Sequence, residues 1–175
     1  MKFLENCLHI CKKNSTFARN LENDYNMKVL LLFTGGTISM VKDPQTGALQ
    51  PADMQTFKDF VPELFAGDIQ VEMIPFEPLL DSSDLNPDNW RQMAKVVQEN
   101  YEAYDGFVIL HGTDTMAYTA AALSYLVQDS PKPIILTGAQ KPIHMDGTDS
   151  KTNLLDSFAV ACDGRMAGVM IVFGG

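Results

Sequence analysis

Three short polar runs hold the residues whose types and spacing suit chemistry: Thr34-Gly35-Gly36-Thr37, Asp81-Ser82-Ser83-Asp84 and His111-Gly112-Thr113-Asp114-Thr115. A threonine hydroxyl is a poor nucleophile until a base removes its proton. A second hydroxyl poised by a carboxylate and a cation can do that, as the serine triad does with other groups. Backbone amides beside paired glycines can hold an oxyanion. Together the runs offer small hydroxyls, carboxylates and backbone amides, a set that suits a small polar ligand carrying an amine, a carboxylate and a carbonyl. Each run alone has a plainer reading. The first is a strand-to-loop turn with a threonine cap, the second a capping cluster, and the third an aspartate favouring a helix dipole.

The elements around them decide between these readings. Residues 107–110 form an unbroken apolar run of β-formers, the pattern of a strand buried on both faces of a parallel sheet. It stops at His111-Gly112, and a helical apolar run begins at Met116. Residues 27–33 make a first strand that ends at Thr34, and its paired glycines permit positive φ and a close backbone approach. Ile69, Val71 and Met73 alternate with Gln70 and Glu72, a half-exposed strand nearer an edge. Residues 134–136 and 168–173 supply two more strands. Asn86-Pro87-Asp88 gives a cap, a proline at the first helical position and an acid in the first turn. Trp90, Met93, Ala94, Val97, Tyr101 and Tyr104 then form one apolar stripe. Further helices are expected over 53–64, from 116 to about 127, and near 152–162. Residues 39–52 show no period and are expected to form a loop, of a length often used as a lid.

Five strands alternating with helices predict an α/β fold, a three-layer α/β/α sandwich around a mainly parallel sheet. In such sheets ligands sit outside the carboxyl ends of the strands, where all three polar runs fall. The domain is expected over 27–175, and residues 1–26 read as a loosely ordered extension or an upstream start codon assigned in error. A buried-looking strand near residue 175 predicts an amino-terminal part of a longer protein.

Composition excludes several function classes. The chain has 175 residues, 46% hydrophobic and 20% charged, with a net charge of −9. The acidic balance argues against a nucleic-acid or anionic-membrane partner. No run approaches the roughly 18 apolar residues of a membrane span. Cys7, Cys11 and Cys162 make no disulfide framework and suit a reducing cytoplasm. Cys7, His9 and Cys11 lie close together, but no second half-site follows, and His9, His111 and His144 lack metal-ligand spacing on one element. Neither a Gly-x-x-x-x-Gly-Lys loop nor a Gly-x-Gly-x-x-Gly turn is present, so nothing points to a nucleotide.

Thr-Gly-Gly-Thr-Ile at 34–38, Asp-Ser-Ser-Asp at 81–84 and His-Gly-Thr-Asp-Thr-Met at 111–116 resemble the bacterial-type L-asparaginases, in particular their cytoplasmic type I branch. The resemblance runs from about residue 27 to 175. It implies hydrolysis of L-asparagine to aspartate and ammonia without a cofactor or metal, in a homo-oligomer (a dimer or tetramer). By the same resemblance Thr37 matches the nucleophile that forms the acyl-enzyme. Thr113 and Asp114 match the second threonine and the aspartate, which share in proton transfer and bind substrate, Asp114 at the α-amino group. Asp81, Ser82 and Ser83 match the segment that binds the α-carboxylate end.

Three departures stand out. Gly47-Ala48-Leu49 stands where the family's mobile loop carries a tyrosine, and residues 1–175 are expected to lack the family's catalytic lysine and its carboxy-terminal domain. Lys141 and Lys151 lie in other segments. Weak or no activity is therefore expected of these 175 residues alone. Two alternatives remain: a non-catalytic amino-acid-binding or scaffold fragment, and the asparaginase-like component of a glutamyl-tRNA amidotransferase.

Overall fold

The computed structural model describes residues 27–66 and 69–174. The cluster of Cys7, His9 and Cys11 and the extension at 1–26 lie outside these residues. Five strands form one sheet: β1 (Lys28–Gly35), β4 (Gln70–Leu80), β5 (Gly106–Leu110), β6 (Pro133–Thr137) and β7 (Gly168–Ile171). Their spatial order is β4-β1-β5-β6-β7, and every pairing is parallel. The run read as a central strand, β5, is third of the five. β5 and β6 are buried along their whole length, as continuous apolar runs predict for a sheet covered on both faces.

Alternate side chains of β1 divide between two cores, because successive residues of a strand point to opposite faces. Val29, Leu31 and Phe33 pack on one face with Phe57, Leu64, Leu154 and Phe158. These partners come from α1 (Met54–Phe60), α2 (Pro62–Phe65) and α5 (Ser150–Ala161). Leu30 and Leu32 pack on the other face with Met93, Val97, Met116 and Leu123, from α3 (Pro87–Asn100) and α4 (Met116–Leu126). The three layers are those expected. Each fully buried Leu or Ile of the sheet is worth about 2–5 kcal/mol against truncation to Ala.

α3 begins as its sequence predicts. The Asn86 side chain accepts from the backbone of Asp88 (2.9 Å) and Asn89 (3.4 Å), while the Asn89 side chain accepts from the Asn86 N–H (2.9 Å). This reciprocal cap is worth about 1 kcal/mol. β4 lies at the sheet edge as its half-exposed alternation implies, but it runs on to Leu80. Pro75 and Pro78 are tolerated there because an edge strand has one unpaired side.

Two local expectations are corrected. The helix read over 53–64 is broken into α1 and α2 at Val61 (φ −133°), because a proline disfavours the helical region for its predecessor. The stretch 39–52 is not structureless. β2 (Met40–Lys42) and β3 (Leu49–Pro51) pair antiparallel as an exposed hairpin. Asp43 accepts from the backbone of Gln45 and Thr46, each at 2.7 Å, and shapes its turn. Strands of three residues are too short to reveal a period.

Candidate active site

Strand order places the site. From β1 the chain passes outward to β4 on one side, and from β5 it passes to β6 on the other, so the neighbours β1 and β5 flank the point where the winding reverses. The crevice at the carboxyl ends of two such strands is where ligands bind in open α/β sheets. The first and third polar runs are the segments that leave these two ends.

At the end of β1, Gly35 and Gly36 have φ of +122° and +83°. A Cβ on Gly36 would lie 2.7 Å from the Gly112 backbone nitrogen and 2.8 Å from the His111 carbonyl carbon. Only glycine allows the two turns to meet backbone to backbone. The Thr34 hydroxyl, buried, donates to the Leu110 carbonyl and ties the strand ends together. Thr37 opens a single 3-10 turn (Thr37–Ser39) and is half-buried; Ile38, fully buried, plugs the turn into the core. Ser39 secures it, donating to the Gly36 carbonyl from its N–H (3.1 Å) and from its hydroxyl (2.9 Å).

The second run joins through Ser82. A Cβ on Gly112 would come within 2.2 Å of the buried Ser82 Oγ. That hydroxyl donates to Asp114 Oδ2 at 3.3 Å, and the Thr115 hydroxyl donates to the Ser82 carbonyl at 2.6 Å. Contact therefore passes from Gly36 to Gly112, to Ser82, to Asp114. Thr37 and Thr113 are the residues that directly follow the two touching glycines. Asp81 and Ser83 behave differently: both are exposed and they bond each other, Asp81 Oδ1 accepting from the Ser83 N–H (2.9 Å) and hydroxyl (2.8 Å). These two bonds hold the Asp81 carboxyl below its ordinary range. No hydrogen bond among the described residues joins Asp81 or Ser83 side chains to the other two runs.

His111 is buried behind this junction. Its Nδ1 lies 2.6 Å from the Gly112 carbonyl oxygen, which can only accept, so Nδ1 carries a proton. Burial pushes its pKa down, opposed by that bond. Nε2 has no hydrogen-bond partner among the described residues. His111 thus acts as a clamp on the Gly112–Thr113 peptide.

Sequence reasoning missed a further wall of the site, the turn after β6. A Cβ on Gly138 would fall 2.3 Å from the His111 carbonyl oxygen and 2.8 Å from Met116 Cε. In sequence, Thr137-Gly138 reads only as a strand end. No group of three or more His, Cys, Asp or Glu among the described residues is placed to hold a metal ion. A cavity of about 430 Å³ lies at the opposite, amino end of the sheet, lined by Lys28, Gln70, Glu72 and Tyr104 among others. There the Tyr104 hydroxyl donates to Glu72 at 2.5 Å, and burial with that carboxylate pushes the phenol up to about 12. None of the three polar runs lines this cavity.

Residues 28–175 match the family model described as asparaginase, N-terminal. The chain belongs to the asparaginase family. L-asparaginase 1 of Escherichia coli is 38% identical over 146 residues, covering 83% of this chain and 43% of that protein. The crystal structure of L-asparaginase I from Vibrio cholerae superposes with a TM-score of 0.76 at 38% identity, covering 85% of this chain and 45% of that one. A glutamyl-tRNA(Gln) amidotransferase component of Pyrococcus horikoshii is 38% identical over 153 residues, 84% of this chain and 33% of that protein. The chain spans less than half the length of these relatives. The asparaginase amino-terminal domain and its mainly parallel three-layer fold are those the polar motifs implied. Among the described residues no helix is long and apolar enough to cross a membrane.

Proposed function

We propose that the crevice between β1 and β5 hydrolyses the side-chain amide of L-asparagine. Thr37 Oγ1 attacks the amide carbonyl, the C–N bond breaks, and the nitrogen leaves as ammonia with the proton from the hydroxyl. Water then cleaves the Thr37 ester to give aspartate and return the hydroxyl. Thr113 and Asp114 share in proton transfer and hold the substrate, Asp114 at its α-amino group. Asp81, Ser82 and Ser83 form the α-carboxylate end. The observation that supports this reading is the backbone contact of Gly36 with Gly112, the residues directly before Thr37 and Thr113, together with the bond from Ser82 to Asp114. The reaction needs no cofactor or metal, and the protein works as a cytoplasmic homo-oligomer whose domain spans 27–175. Residues 1–175 alone turn over weakly, since no lysine among the described residues hydrogen-bonds to the three runs.

The test is ammonia release from L-asparagine by the purified chain, beside calorimetric binding of L-aspartate. Thr37→Ala is expected to lower turnover by about 1,000-fold or more, the scale of removing a nucleophile, while aspartate binding persists. Equal ammonia release by wild type and variant would remove Thr37 from the chemistry. Absence of both release and aspartate binding in the wild type would sink the whole reading. The 38% identity with the amidotransferase component favours one second reading, a protein that supplies ammonia to a tRNA-linked reaction. The net charge of −9 weighs against it; measured affinity for a tRNA that falls steeply with salt would reverse that judgement.

A further inference from the structure

Asn153, on the first turns of α5, is buried to within 1% of its surface. Its carboxamide makes three hydrogen bonds to three separate stretches of chain. Nδ2 donates to the Gly138 carbonyl (2.9 Å) and to Asp149 Oδ2 (3.2 Å); Oδ1 accepts from the Gly174 N–H (3.0 Å). The amide orientation is unambiguous, because exchanging O and N would set a donor against the Gly174 N–H and an acceptor against two acceptors. Among neutral side chains of this size only a carboxamide supplies two donors and an acceptor in one plane.

What these bonds hold is the turn after β6. Asp149, bonded to Asn153, accepts in turn from the backbone of Gln140 (2.9 Å) and Lys141 (3.0 Å). Gly138 is pressed on its other side against the His111 carbonyl. One buried amide therefore stands between the chain leaving β7 and a backbone that touches the site.

We propose that Asn153 is a positioning residue of the site: its carboxamide ties the turn after β6 to the chain leaving β7 and holds Gly138 against the His111 carbonyl. Its kinetic consequence rests on the function proposed above; the tie does not. Asn153→Leu removes all three bonds at similar volume. Asn153→Asp keeps the acceptor for Gly174 and loses both donors. Ser157→Ala serves as a control, since the Ser157 hydroxyl donates to the Asn153 backbone carbonyl (2.6 Å) and not to its side chain.

The experiment is amide hydrogen exchange on the full chain together with steady-state ammonia release. In Asn153→Leu the amides of residues 140, 141 and 174 are expected to exchange at least tenfold faster. Turnover should drop at least tenfold with KM within threefold. Asn153→Asp should free residues 140 and 141 while residue 174 stays within threefold of wild type, and it decides the matter if the leucine variant fails to fold. Ser157→Ala should leave both readouts within twofold. Unchanged exchange at 140, 141 and 174, or turnover that falls no further than in Ser157→Ala, overturns the proposal. A wild-type chain that neither releases ammonia nor binds L-aspartate sinks the proposed function instead, and exchange then decides the tie alone.

Discussion

Gly36 and Gly47 share a backbone conformation and almost nothing else. Their φ angles are +83° and +72°, both in the region that disfavours any side chain. Around Gly36 the backbone of His111 and Gly112 closes to within 3 Å of where a Cβ would stand; around Gly47, at the tip of the β2–β3 hairpin, nothing lies within 4 Å. Glycine at 47 serves the turn alone. At 36 it serves the turn and also lets two strand ends separated by 76 positions approach as bare backbone. A positive-φ glycine by itself therefore says little about function; what meets it decides.

Substitutions can break this comparison. Gly36→Ala adds a rigid backbone clash to conformational strain and is expected to destabilise by about 3–4 kcal/mol, with ammonia release lost. Denaturant unfolding measures it, and a cost equal to that of Gly47→Ala would erase the contrast. Gly112→Ala meets only Ser82, a short but buried side chain, so about 2–3 kcal/mol is expected. The Ser82–Asp114 bond should go with it, visible as weaker aspartate binding. Gly47→Ala carries strain alone, about 1 kcal/mol, and should leave turnover within twofold.

A smaller effect sharpens the picture from the pH side. His111 is depressed below its ordinary value of about 6.5 in the folded chain. Between that folded value and 6.5 the unfolded chain binds the extra proton, so the stability His111 contributes is present above 6.5 and is lost as pH falls through its folded value. Unfolding free energies at pH 7.5 and 5.5 should differ less in His111→Gln than in wild type. An identical difference in both would mean that the clamp on Gly112 is not a neutral histidine.

The sequence made the crevice readable because its parts are local. An apolar run, a glycine turn and a hydroxyl within eleven residues announce both a buried strand and the turn that ends it, as residues 29–37 and 106–116 do. Asn86 and Pro87 likewise carry their helix start within four residues. The hairpin escaped because its strands are three residues long, and the break at Val61 because one favourable helical pattern masked the proline inside it. Gly138, Asp149 and Asn153 escaped for a different reason. Their bonds join residues 15 and 21 positions apart, Asn153 to Gly138 and Gly174, and an asparagine on a helix carries no local sign of what it will hold. Within the second run, nothing in the residue types separated Ser82, which reaches Asp114, from Asp81 and Ser83, which bond each other.

The strand order also governs how the chain can assemble during synthesis. β1 pairs on one side with β4, beginning at Lys28 with Gln70, and on the other with β5, beginning at Val29 with Gly106. On a ribosome adding about 5–20 residues per second, the strand that leads to Thr37 emerges several seconds before its second neighbour exists. Its Val-Leu-Leu-Leu-Phe core must wait that long with an open edge, the exposure that makes non-local sheets slow to fold and prone to aggregate. The pairing that creates the crevice thus also sets how long the stretch before it stays exposed during synthesis.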